Sequence, residues 1–265
     1  MNSKYKCRRF EGKVVLITGG TQGIGFAVCD RLAHEGASVV LSSRNEKNVA
    51  DAVEALIQSG IPRERLLGVK CHVQKPEDRQ NLVQAAIKHF SRIDVLINNA
   101  GVNPAVGEII DVTQSQYEKI FDVNVKAPFL LTKLVLPHMN PGGVVVFNSS
   151  ISAYRTSPGV TTYGLSKTAL LALVKTLSAE LGPKGIRVNS VVPGQIKTRM
   201  SQLMWDPKNP RNEKVRDSAK SSLGLWGELG RVEEVAGSIA YLASDDAAYV
   251  TGENHLVVGG VDCRL

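Results

Sequence analysis

Short runs of apolar, mostly β-branched residues recur along this chain, separated by longer segments whose apolar residues fall three and four apart, and this alternation constrains the fold more than any other feature. Residues 14–17, 38–41, 66–69, 95–97 and 144–147 are continuous or nearly continuous apolar runs, the pattern of strands covered on both faces. Residues 24–34, 48–59, 76–90 and 115–138 carry the helical spacing, with Pro62, Pro76 and Pro141 punctuating the connections. The second half continues with a helix over 161–181, a strand over 187–192, a helix over 232–242 and a last strand over 255–258. Such alternation predicts right-handed crossovers and an α/β fold: a Rossmann-type doubly wound parallel sheet, with 1–265 forming a single domain. Between Gly194 and Gly230 the pattern weakens around Trp205, Pro207, Pro210 and Trp226, so a substrate loop or lid is expected at about 194–230.

Composition narrows the function classes. A chain of 265 residues, 43% hydrophobic and 22% charged, has the make-up of an ordinary globule rather than a disordered or collagen-like one. Its longest apolar stretches fall far short of the roughly 20 residues of a spanning helix, so no membrane span is expected. The net charge of +7 invites a polyanionic partner. Yet Lys4, Lys6, Arg8 and Arg9 make only a short basic tip and the other charges alternate in sign, so no nucleic-acid partner is expected. Cys7, Cys29, Cys71 and Cys263 form no C-x-x-C pair, and His34, His89, His138 and His255 fit no ligand spacing; no metal is expected, and a reducing compartment is the default. Asn148-Ser149-Ser150 matches the glycosylation acceptor pattern and is read as a chance match.

The stretch Thr18-Gly19-Gly20-Thr21-Gln22-Gly23-Ile24-Gly25 follows the first strand and opens directly into a helix. A glycine-rich turn there lets backbone approach a pyrophosphate, whose charge the helix N-terminus holds. After the second strand the chain reads Leu41-Ser42-Ser43-Arg44-Asn45. Ser43 stands where an NAD site usually places a carboxylate, and the Arg44 guanidinium can pair with a 2′-phosphate, so NADP(H) is the expected cofactor.

Tyr163-Gly164-Leu165-Ser166-Lys167 sets a phenol and an ammonium four apart at the start of a helix, hence on one face. The cation is expected to lower the phenol pKa from about 10 toward a working range. Ser150 follows the strand 144–147, at the sheet edge where parallel sheets carry their sites.

Taken in order and spacing, Gly19-x-x-x-Gly23-x-Gly25, Asn98-Asn99-Ala100-Gly101, Asn124, Ser150, Tyr163-x-x-x-Lys167 and Pro193-Gly194 resemble the short-chain dehydrogenase/reductase family over about 12–260. The resemblance implies an oxidoreductase in which Ser150 hydrogen-bonds the substrate oxygen, Tyr163 exchanges a proton with it, and Lys167 holds the nicotinamide ribose. It further implies that Asn124 binds a water on the proton path, that Asn99, Ala100 and Gly101 line the adenosine side, and that Ile196 and Thr198 meet the carboxamide. One departure is Cys71-His72-Val73, where the family commonly has an aspartate before the valine; His72 would serve the adenine through a ring nitrogen.

Further stretches, among them Val102-Asn103-Pro104, Val125-Lys126-Ala127-Pro128 and Ile196-Lys197-Thr198, resemble the peroxisomal NADPH-dependent carbonyl and retinal reductases of that family. The terminal Cys263-Arg264-Leu265 is similar to the Ser-Lys-Leu address, so peroxisomal import is expected, with a cytoplasmic location otherwise. The expected activity is NADPH-dependent reduction of hydrophobic ketones and aldehydes, with α-dicarbonyls and retinal as candidate substrates. Residues 102–106, 152–162 and 196–226 would wall the pocket, Leu203, Met204, Trp205 and Leu225 giving it an apolar lining. The family likeness implies a homotetramer. The alternatives are a 3-oxoacyl-thioester or hydroxysteroid reductase and, in another class, a protein that senses NADPH without chemistry.

Overall fold

Every residue of the first strand, β1 (Val14–Thr18), is buried, and its side chains alternate between two separate cores, which is why the run carries no polar face. Val15 and Ile17 join one core with α1 (Gly23–His34), α2 (Glu46–Gln58) and α7 (Val232–Ala243). Val14 and Leu16 join the other with α3 (Pro76–Phe90), α5 (Ala127–Val135) and α6 (Thr161–Leu181). Val95, Ile97, Val144 and Val146 repeat the first pattern, while Leu96, Val145 and Phe147 repeat the second. Each fully buried aliphatic side chain contributes roughly 1.5–3 kcal/mol, so the two cores hold the layers together.

The computed structural model describes residues 8–105, 108–155, 160–202, 205–206, 225 and 227–261. Its other strands are β2 (Ser38–Ser43), β3 (Leu66–Lys70), β4 (Val95–Asn98), β5 (Val144–Asn148), β6 (Arg187–Pro193) and β7 (Asn254–Val257), and α4 (Gln114–Phe121) precedes α5. The strands form one seven-stranded sheet in the order β3-β2-β1-β4-β5-β6-β7, every pairing parallel. This is the doubly wound α/β sheet that the sequence pattern predicts. The order reverses between β1 and β4, so a crevice opens at their carboxyl ends.

One expected helix is not continuous. The segment 115–138 is α4, a π-helical turn over Asp122–Lys126, α5 and a closing 3-10 turn over Leu136–His138. The Ala127 N–H donates to Asp122 O, five residues back. Pro128 supplies the physical reason: the α-helical donor to the Asn124 carbonyl would be the N–H of residue 128, and proline has none.

The insertion after β6 is closed at its base, where Ile196 bridges Gly230, the Lys197 N–H donates to Gly230 O, and the Gly230 N–H donates to Gln195 O. Trp205 packs back onto this base, its Nε1 donating to Thr198 O over 2.9 Å. Leu225 is exposed. Of the expected pocket wall, Val106, residues 156–159, Leu203, Met204, residues 207–224 and Trp226 lie outside the described residues, as does the triplet 263–265.

Candidate active site

A cleft of about 350 Å³ runs along the carboxyl edge of the sheet, within the size range of ligand pockets. At its centre β1 ends in a turn with Gly19 in the left-handed region, φ 66°, which a residue with a side chain adopts only at a cost. Gly25, in the first turn of α1, packs so tightly that a Cβ there would stand 2.1 Å from Gly19 O. No side chain of Gln22 caps α1, and the first N–H groups of a helix have no partner within it. The turn therefore fits an anion: bare backbone, a helix N-terminus and, among the described residues that line the cleft, no carboxylate. Gly25→Ala is expected to destabilise the fold by about 1–3 kcal/mol through overpacking, read as a fall in the thermal unfolding midpoint. A midpoint equal to the wild type would mean that the turn is looser than this.

The turn is braced by β4. Asn99 Nδ2 donates to Thr18 O over 2.9 Å and to Gly19 O over 3.0 Å, while the Asn99 and Ala100 N–H groups both donate to Thr18 Oγ1 over 3.1 Å. These bonds fix where Ala100 and Gly101 stand in the wall.

At one end of the cleft β5 and α6 bring Ser150, Tyr163 and Lys167 together. Ser150 Oγ accepts the Ser152 N–H over 3.2 Å, which leaves its own proton to donate. Lys167 is 3% exposed; its Nζ donates to Asn148 O over 2.7 Å and lies 5.5 Å from the centre of the Tyr163 ring. Burial pulls the lysine down from 10.5 to about 8. Tyr163 moves opposite to the sequence expectation: burial pushes the phenol up from 10.0 to about 12, with a hydrogen bond from Ser150 working against the rise. The expected acidification by a neighbouring cation fails because desolvation of the phenolate outweighs what the surrounding side chains supply. The phenol is held protonated.

Asn124 does not line the cleft. Its side chain clamps the wall: Nδ2 donates to Val102 O and to Ser166 Oγ, each over 3.0 Å, and Oδ1 accepts the Val102 N–H over 2.9 Å. An amide so engaged offers a water little.

At the other end lie Ser43, Arg44, His72 and Val73. Arg44 is exposed. His72 is held below its ordinary pKa first by burial and then by Arg44, Lys119 and Lys75, so three cations act on this corner. Its backbone N–H donates to Asp78 Oδ2 over 2.7 Å, and its Nδ1 is buried without a partner, a polar atom suited to an adenine edge. Asn45, expected at the cofactor, caps α2 instead by accepting the Asn48 N–H, and it does not line the cleft.

The remaining cofactor positions expected from sequence, Thr21, Gln22, Gly23, Ile24, Pro193, Gly194, Ile196 and Thr198, all line the cleft. Arg199, Met200 and Ser201 fall within the expected wall segment 196–226, whereas sequence reasoning missed Cys71, Val123, Asn148, Ser149, Ile151 and Gln195 in the wall and the cations Lys75 and Lys119 near His72. Nothing local marks these residues; Lys119 reaches His72 only through the fold. Among the described residues no group of three His, Cys, Asp or Glu side chains could hold a metal ion, and no helix is long and apolar enough to cross a membrane.

A family model described as enoyl-(acyl carrier protein) reductase matches residues 19–262. Among curated proteins, the chain is 48% identical to human dehydrogenase/reductase SDR family member 4, covering 96% of this chain and 88% of the relative. It is 45% identical to the protein of that name from Caenorhabditis elegans, covering 98% of each. It is also 44% identical to tropinone reductase-like 3 of Erythroxylum coca, over 97% of this chain and 96% of the relative. Among solved structures, a Burkholderia cenocepacia short-chain dehydrogenase in complex with NADP superposes with a TM-score of 0.85 at 29% identity, over 96% of this chain and 99% of that one. A blue fluorescent protein from a metagenomic library in complex with NADPH gives 0.85 at 33% identity, with the same coverage.

Proposed function

The chain belongs to the short-chain dehydrogenase/reductase family of oxidoreductases, and on that premise we propose that it is an NADPH-dependent carbonyl reductase acting on hydrophobic ketones and aldehydes, with α-dicarbonyls and retinal among its substrates. The single observation that carries this reading is the continuity of one cleft, from a glycine-rich turn with Arg44 beyond it to a protonated phenol beside a buried lysine. The alternative of a non-catalytic NADPH sensor gives no reason for that phenol and lysine.

The nicotinamide supplies a hydride to the carbonyl carbon when it is bound. Everything else falls to the chain's own residues. Arg44 pairs with the 2′-phosphate, the α1 N-terminus with the pyrophosphate, and His72 and Val73 hold the adenine. Asn99, Ala100 and Gly101 line the adenosine side, while Pro193, Gly194, Ile196 and Thr198 orient the carboxamide. Ser150 donates to the carbonyl oxygen and holds it against Tyr163. As negative charge builds on that oxygen it becomes a stronger base than the Tyr163 phenolate, and Tyr163 Oη gives it a proton. Lys167 steadies the ribose and, as an ammonium, favours the phenolate left behind.

A pH dependence follows, because Lys167 titrates near neutrality in the folded chain. Its folded value of about 8 lies below the ordinary 10.5, so between these pH values the unfolded chain binds a proton that the folded one does not. Stability relative to Lys167→Met is therefore expected to rise across that window and to be lowest below it. Reductive kcat/KM is expected to fall as pH climbs through about 8 and the ammonium is lost. Thermal unfolding and initial rates across the range check both; a stability difference and a rate that do not vary with pH would contradict them.

A second reading, reduction of 3-oxoacyl thioesters, draws on the description of the matching family model, and hydroxysteroid reduction is its neighbour. A screen of NADPH oxidation across diketones, quinones, retinoids, steroids and acyl thioesters decides between them. Turnover of none of these despite tight NADPH binding would favour the sensor. Exposed Tyr117, Phe129 and Leu165, on α4, α5 and α6, suit burial in a homotetramer, which sedimentation of the purified protein tests. Peroxisomal import through residues 263–265 is tested by locating a fluorescent fusion with and without that triplet.

A further inference from the structure

Asn148 closes β5 with its side chain on the side of the sheet that carries α1, and two of its groups hold residues from different parts of the cleft. Its Nδ2 donates to Asn99 Oδ1 over 2.8 Å, and its carbonyl accepts Lys167 Nζ over 2.7 Å. The amide orientation is forced. Asn99 spends its own Nδ2 on Thr18 O and Gly19 O, so its Oδ1 needs a donor, and Asn148 can supply one only by turning Nδ2 toward it. That leaves Asn148 Oδ1 buried without a partner, in a residue that lines the cleft. Hydrogen bonds thus link Gly19 O to Asn99 and Asn99 to the Asn148 side chain, and the backbone carbonyl of the same Asn148 holds Lys167.

We propose that Asn148 is a positioning residue that ties the glycine-rich turn to Lys167, so that the two ends of the cleft keep one geometry. It rests on the reading of the cleft as a cofactor site. The groups facing Lys167 leave the tie little competition. Tyr163 is the titratable neighbour on its own helix, Gly101 on the loop after β4 would bring a Cβ 3.6 Å from Nζ, and Asn124 of the π turn stands beside Gly101. Gly101, Asn124 and Asn148 are uncharged, so a charge placed at Asn148 acts on Lys167 in a low-dielectric site.

Two substitutions separate this role from mere packing. Asn148→Asp keeps the shape, turns the donor toward Asn99 into an acceptor and puts a carboxylate on the residue whose backbone carbonyl holds the ammonium. Asn148→Leu keeps the bulk and the backbone carbonyl that accepts Lys167 Nζ, and removes the bond to Asn99. The pKa of Lys167, followed by NMR of 13C-labelled lysine ε-methylenes in the protein alone and identified by its disappearance in Lys167→Arg, is expected to rise by about one unit or more in the aspartate variant. In the leucine variant it is expected to fall or stay. Calorimetry with NADPH is expected to give about tenfold weaker binding in both variants, because Asn99 and the turn lose their brace. A Lys167 titration identical in wild type and Asn148→Asp, or NADPH binding unchanged in both variants, would overturn the proposal. If Asn148→Leu fails to fold, the isosteric aspartate variant still decides. The titration needs neither cofactor nor carbonyl, so a failure of carbonyl reduction would sink the proposed function and leave this result standing.

Discussion

Tyr163→Phe is expected to cut kcat for carbonyl reduction by about 10²–10⁴-fold while leaving the dissociation constant for NADPH near its wild-type value. The substitution deletes one hydroxyl and keeps the ring, half-buried in the cleft wall, so the packing around Ser150 and Lys167 is preserved. What goes is the proton. With the phenol pushed up to about 12 it keeps its proton through neutral pH, and of the Tyr163 and Ser150 hydroxyls it is the stronger acid toward a developing alkoxide. Ser150 can donate a hydrogen bond, but a hydroxyl of its kind is a far weaker acid. Steady-state rates with a diketone, together with calorimetric NADPH binding, separate the two quantities. Equal turnover in both proteins would remove Tyr163 from the chemistry.

Arg44→Ala is expected to lower kcat/KM for NADPH by roughly 10–150-fold, with little change for NADH. A hydrogen bond to a charged group contributes about 1.5–3 kcal/mol, and the 2′-phosphate is the one group that distinguishes the two cofactors. Arg44 is exposed, which favours the lower half of that range. Lys75 and Lys119 act on the same corner and would keep part of the preference. The ratio of the two kcat/KM values, taken at fixed ionic strength, is the observable. A ratio equal to that of the wild type would show that the guanidinium does not pair with the phosphate.

The sheet was legible because covered parallel strands have to be apolar along their whole length: Val14, Leu16 and Ile17 could belong to little else. The glycine turn was legible for a related reason, since Gly25 has no room for a Cβ. The interruption at Asp122–Lys126 could also have been read, because Pro128 sits four residues after Asn124; apolar periodicity alone concealed it. Asn45 carried a signal as well, an Asx residue three before a helical N–H, which is a cap before it is anything else. The rest depended on the fold. The rise of the Tyr163 pKa follows from burial, which no local spacing of tyrosine and lysine encodes. The bond from Asn148 to Asn99 joins neighbouring strands 49 positions apart, and Lys119, on α4, acts on His72 through space.

In the proposed reaction, hydride from NADPH reaches a carbonyl carbon in the cleft between Gly19 and Tyr163. NADPH deuterated at the transferring position of the nicotinamide, incubated with the protein and a diketone, tests it most directly by mass spectrometry of the product. An alcohol carrying one deuterium on the former carbonyl carbon is expected, formed by the wild type and nearly absent with Tyr163→Phe. An alcohol without the label, or labelled product in equal yield from both proteins, would contradict it.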